Sequence, residues 1–112
     1  MVKSPKRYAT LQQLVDAGLV RLPLEIRGKR QGHEFRAEIV AADGTTTWRE
    51  YTCASISAAA GEALASISGY PRGQYPSDNG WPPVNGWQFW DFEDANGVWE
   101  PLHTLRERYD AR

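Results

Sequence analysis

The chain has little of the chemistry that marks most catalytic and metal-binding proteins. Its one cysteine, Cys53, forms no internal disulfide, and no Cys-Cys pair spaces a zinc site. Its two histidines, His33 and His103, stand far apart and do not space a metal site either. There is no glycine-rich phosphate loop and no Gly-x-Ser-x-Gly nucleophile elbow. The acidic cluster Asp91, Glu93 and Asp94 surrounds a turn and alternates faces, so it reads as solvated charge. His103 lacks an obvious partner for general-base work. No catalytic residue, metal or cofactor is assigned on these grounds. No apolar run is long enough to span a bilayer, and the basic start Met1–Arg7 is not followed by the apolar stretch of a signal peptide. A reducing, cytoplasmic setting is the simplest expectation.

What is present is aromatic. Five Trp and five Tyr in 112 residues supply large rings, which build a small core efficiently. The length fits one domain, and such a chain buries roughly 60–70% of its unfolded surface without staples. The formal net charge of −1 conceals an asymmetry. Residues 1–36 carry eight basic and three acidic groups, a net of +5, while the remainder carries five basic and eleven acidic, a net of −6. A charge divided in this way can orient a chain on a polyanion.

Residues 1–9 read as a flexible basic arm, and 10–109 as a single domain. Thr10-Leu11-Gln12-Gln13 is a capping box opening a helix, with Leu11, Leu14 and Val15 on one face and Gly18 ending it. From Leu24 the period becomes two. Leu24, Ile26 and Gly28 alternate with Glu25, Arg27 and Lys29. After a turn at Arg30-Gln31-Gly32, Phe35, Ala37 and Ile39 alternate with Glu34, Arg36 and Glu38. Asp43-Gly44 is a hairpin turn signal, and β-branched and aromatic residues over 45–52 predict a third strand. Residues 55–67 are Ala-rich and predict a helix capped by Ser55 or Ser57. The sixteen residues 68–83 are dense in Gly and Pro, with Tyr70, Tyr75 and Trp81 among them, and predict a long loop. Residues 85–92 read as a strand, Asn96-Gly97 as a turn, and Pro101 as the first turn of a short final helix carrying Leu102, Leu105 and Tyr109. The expected fold is therefore α+β. A small antiparallel sheet, a three-strand meander plus a C-terminal strand, packs with an Ala-rich helix and short N- and C-terminal helices.

The segment Asn85-Gly86-Trp87-Gln88-Phe89-Trp90 places three rings within four positions. On a strand, Trp87 and Phe89 would face one way and Trp90 and Phe92 the other. One face would meet the core and the other could meet a ligand. Tryptophan faces stack on nucleobases, and an Asn amide can pair with both N7 and N6 of adenine.

Five motifs in order resemble the RAMA (restriction adenine methylase-associated) domain. They are Leu14-Val15-Asp16-Ala17-Gly18-Leu19-Val20, Asp43-Gly44, Ser55-Ile56-Ser57-Ala58-Ala59-Ala60, Asn85-Gly86-Trp87-Gln88-Phe89-Trp90, and Leu102-His103-Thr104-Leu105-Arg106. The likeness runs from about Thr10 to Arg106. It departs at Ile56, where the family has Pro between two serines, and in the inserted loop before Asn-Gly-Trp. The resemblance implies a non-catalytic module that binds DNA, with methylated adenine the favoured mark, beside restriction and methylation enzymes. It gives roles to matched positions. Ser55 and Ser57 would offer a helix N-terminus to a phosphate or cap the helix. Asn85 would meet a base edge or fix a turn. Trp87 and Trp90 would divide between ligand and core. Arg106 would contact a phosphate, or pair with Glu93 or Asp94. Arg27, Lys29, Arg30 and Arg36 would add sequence-independent, salt-sensitive attraction. Reading a base within a duplex needs groove contact or extrusion of the base, and both stay open. The alternative partner is a protein, met through the aromatic loop 70–83. No membrane partner is expected.

Overall fold

Local signals at the start of the chain act as their chemistry dictates. The Thr10 hydroxyl accepts from the Gln13 N–H at 3.2 Å, and the Gln13 amide oxygen accepts from the Thr10 N–H at 2.9 Å. This reciprocal cap opens α1, Leu11–Asp16. Gly18, with φ +76°, then turns the chain out of the helix. The computed structural model describes residues 8–78 and 80–111. The arm expected over 1–9 thus lies largely outside the described residues, and Ala9 within it is buried.

Among the described residues the domain is α+β, a six-stranded open antiparallel sheet with four helices. Strands β1 (Leu24–Arg30) and β2 (His33–Ile39) form the longest hairpin, closed by Gln31-Gly32 with both residues at positive φ. That is the backbone a two-residue turn between right-twisting strands requires. The segment expected as one strand over 45–52 instead makes two, β3 (Thr46–Trp48) and β4 (Tyr51–Cys53). The cause is Arg49, at φ +55°, which reverses the chain between Trp48 and Tyr51.

Ser55 caps α2, Ile56–Ser66, by accepting from the Ala58 N–H at 3.0 Å. The buried alanines 59, 60, 63 and 65 let α2 lie close against the sheet. The strand expected over 85–92 is corrected in its first half. Residues Gly86–Phe89 form one helical turn, α3. The Asn85 side chain caps it by accepting from the Trp87 N–H at 3.0 Å. An Asn-Gly pair serves a turn or a cap equally well, and here the cap wins. Only after Trp90 does the chain extend into β5 (Asp91–Glu93), which turns at Asn96-Gly97 into β6 (Trp99–Pro101). Pro101 closes β6 rather than opening a helix. The last helix, α4, is His103–Asp110.

The strand order is β4-β3-β2-β1-β5-β6. Ile26, Phe35, Ala37, Ile39, Trp48 and Phe92 share one sheet face and join Leu14, Ala59, Ala63, Trp90 and Leu105 in a single apolar cluster. The other face carries Glu25, Arg27, Lys29, Glu34, Arg36, Glu38 and Thr47, and none of these is buried. All of the core therefore lies on the helical side.

Candidate functional site

The N-terminal end of α2 is where three distant parts of the chain converge. The Gly86 N–H donates to the Ser57 Oγ at 3.0 Å, across 29 residues of sequence. A Cβ at Gly86 would stand 2.7 Å from the Ile56 carbonyl carbon and the Ser57 nitrogen, so only glycine allows this approach. The Trp90 indole Nε1–H donates to the Ile56 carbonyl at 3.0 Å. Trp90 is fully buried, and the pairing leaves its one polar atom satisfied. Together these contacts lock α3 against the start of α2.

The lock fixes Trp87 half-buried at the surface. The Arg106 guanidinium of α4 lies over the Trp87 ring, 3.7 Å from its centroid. Arg106 Nε donates to the Ala9 carbonyl at 3.0 Å, which ties the beginning and end of the domain together. Tyr8 also approaches the guanidinium, which lies 5.2 Å from the Tyr8 ring centroid. Partial burial lowers the Arg106 pKa, opposed by Tyr8, and arginine remains a cation throughout the physiological range. No carboxylate among the described residues pairs with it. The alternative partners Glu93 and Asp94 belong to the β5–β6 hairpin, where the Asp94 carboxylate accepts from the Asn96 and Val98 N–H groups.

Between these groups is a hollow of about 240 Å³, lined among others by Thr10, Asp43, Ser55, Ser57, Trp87 and Arg106. Ser55 and Ser57 each use an oxygen lone pair internally, which leaves both hydroxyl hydrogens available to donate outward. Asp43 adds an acceptor at the rim. The Thr45 hydroxyl, then the Thr45 N–H, hydrogen-bond its carboxylate and hold its pKa below the ordinary value. The hollow thus offers a cation over a ring, two hydroxyl donors, a helix start and one carboxylate acceptor. Ile56 occupies the first position of α2, where proline is also tolerated. No described residue of the loop 68–83 lines the hollow.

Ten residues are singled out by the sequence, and the structure sorts them. Ser55, Ser57, Trp87 and Arg106 meet in the hollow, with Asn85 beside them as the α3 cap. Trp90 is core. Arg30, at the end of β1, lies on the helical side, 6.0 Å from the Phe89 ring centroid. Arg27, Lys29 and Arg36 project from the opposite sheet face. There Glu34 accepts from Arg36 at 3.3 Å and lies 3.9 Å from Arg27, whose guanidinium covers the Trp99 ring at 3.8 Å. Sequence reasoning missed Asp43 and Thr10 as site residues, because each already has a turn or cap role. It also missed Tyr8, which it placed in the arm.

Among the described residues no group of three His, Cys, Asp or Glu side chains is placed to hold a metal ion, and no helix is long and apolar enough to cross a membrane. No protein-family model matches the chain, and no curated protein matches it significantly.

Proposed function

We propose that this domain is a non-catalytic DNA-binding module whose contact surface is the hollow at the start of α2, and that it reads methylated adenine there. One observation carries the reading: an arginine with no carboxylate partner among the described residues, stacked on a half-buried tryptophan, beside two serine hydroxyls that line the same hollow at a helix N-terminus. Each part suits a component of a nucleotide. The helix start, the hydroxyls and Arg106 favour a phosphate. The Trp87 side chain, which lines the hollow, suits a base or its methyl group, and Asp43 can accept from an exocyclic N–H. The order of motifs shared with the RAMA domain supports the same reading.

Under this proposal Arg27, Lys29 and Arg36, on the far face and partly covered by Glu34, act through the general field and not by contact. Arg30 stands on the helical side and is the better second anchor. The protein-partner alternative has less support, because Trp81 of the loop is spent on α2: a Cβ at Gly61 would stand inside the Trp81 ring.

Fluorescence anisotropy with methylated and unmodified duplexes at two salt concentrations tests the proposal. Arg106→Gln is expected to weaken both duplexes alike and to reduce the salt slope by about one. Trp87→Ala is expected to remove the preference for methylated DNA, at a loss of about 1–3 kcal/mol. Absence of binding to either duplex at low salt would overturn the reading.

A further inference from the structure

We infer that a second pocket, at the other end of α2, is a binding site for a small aromatic carboxylate, with Arg49 as the group that holds its anion. The pocket lies between the β3–β4 hairpin, the C-terminal half of α2 and the 68–83 loop. Its volume is about 210 Å³. That is below the roughly 300–1,000 Å³ of sites for drug-sized molecules, so the occupant is a single ring with a short substituent.

The walls define the ring. Trp48 and Tyr51 face each other directly across β3 and β4, their rings near-parallel with centroids 6.2 Å apart. Ala65 and Tyr70 add further apolar surface. The charges define the substituent. The Arg72 guanidinium lies 3.9 Å from the Tyr51 ring centroid and pairs with Glu62 at 2.8 Å. The other Glu62 oxygen accepts from the Cys53 thiol at 2.9 Å. Glu62 is thus engaged on both oxygens, and Arg72 is neutralised. Arg49 lies 4.4 Å from the Trp48 ring centroid and has no carboxylate partner among the described residues. The side chains around the pocket therefore sum to one uncompensated positive charge, on a guanidinium whose N–H edge suits a carboxylate fork.

The backbone supports the assignment to Arg49. It occupies the first of two residues joining β3 to β4, at φ +55°. Hairpins place Gly or Asn at such left-handed positions. An arginine there is explained by its side chain, which the turn delivers onto the Trp48 face at the pocket mouth.

The test is an NMR titration of the intact chain with benzoate, following the Trp48 indole N–H, with benzyl alcohol and inorganic phosphate as controls. Benzoate is expected to shift the Trp48 signal saturably, and roughly tenfold more tightly than benzyl alcohol. Phosphate, lacking a ring, is expected to leave that signal unmoved at the same concentration. Arg49→Gln should cost the same factor. Arg49→Gly suits the left-handed backbone and keeps the hairpin, so the same loss in that variant reports the missing guanidinium and not a missing fold. Equal affinity for benzoate and benzyl alcohol, unchanged benzoate binding in Arg49→Gly, or no Trp48 shift would each overturn the inference.

Discussion

The two ends of α2 are held by different physics. At its N-terminal end, neighbours are fixed by hydrogen bonds that each join a backbone group to a side chain, Gly86 N–H on the Ser57 Oγ and the Trp90 indole on the Ile56 carbonyl, and by a glycine that admits one backbone against another. At its C-terminal half, neighbours are fixed through side chains: Trp81 seated on Gly61, and Arg72 joined to Glu62. The backbone-to-backbone approach at Gly86 allows few alternatives, so the first hollow is expected to be the more rigid of the two. Side-chain contacts made by a long loop open at lower cost, so the second pocket is the one able to widen or close.

The sharpest way to break this contrast is Trp90→Ala. Removing a fully buried indole and its hydrogen bond should cost about 3–5 kcal/mol, read as a lower urea midpoint, and should abolish binding at the first hollow as α3 loses its seat. Gly61→Ala comes next. The added methyl evicts Trp81 from α2 at about 1–3 kcal/mol. Hydrogen exchange should rise across 68–83, while the DNA binding proposed for the first hollow should be unaffected. A matching loss of DNA affinity would show that the two ends are coupled and the contrast false. The effect at Cys53 is confined to alkaline pH and is the smallest of the three near neutrality. Burial first, then the Glu62 hydrogen bond, push its thiol pKa up to about 12. Because the folded pKa is raised, the associated stability is complete below about pH 9 and declines between pH 9 and 12. Urea titrations across that window should show a slope that Cys53→Ala reduces.

Much of this architecture was legible in the residues. The capping box at Thr10, the serine-capped Ala-rich helix and the β1–β2 alternation each have a local cause that tertiary packing does not oppose. The α3 turn was not legible, since aromatic residues after Asn-Gly satisfy strand and helix patterns alike, and the deciding contact is Gly86 against Ile56, thirty positions away in the chain. The reversal at Arg49 carries no turn residue to announce it. The split of the candidate residues between two faces was foreseeable in part. The same alternation that buries Ile26 and Ala37 sends Arg27, Lys29 and Arg36 away from the helices, and so away from Ser55, Trp87 and Arg106.

The sheet ends on both sides in strands of only three residues, β4 and β6, and Pro101 on β6 has no N–H to offer a neighbour. Short borders, one of them bearing a proline, give another chain little to zip onto. The broad charged sheet surface can therefore stay uncovered without inviting fibrous self-association.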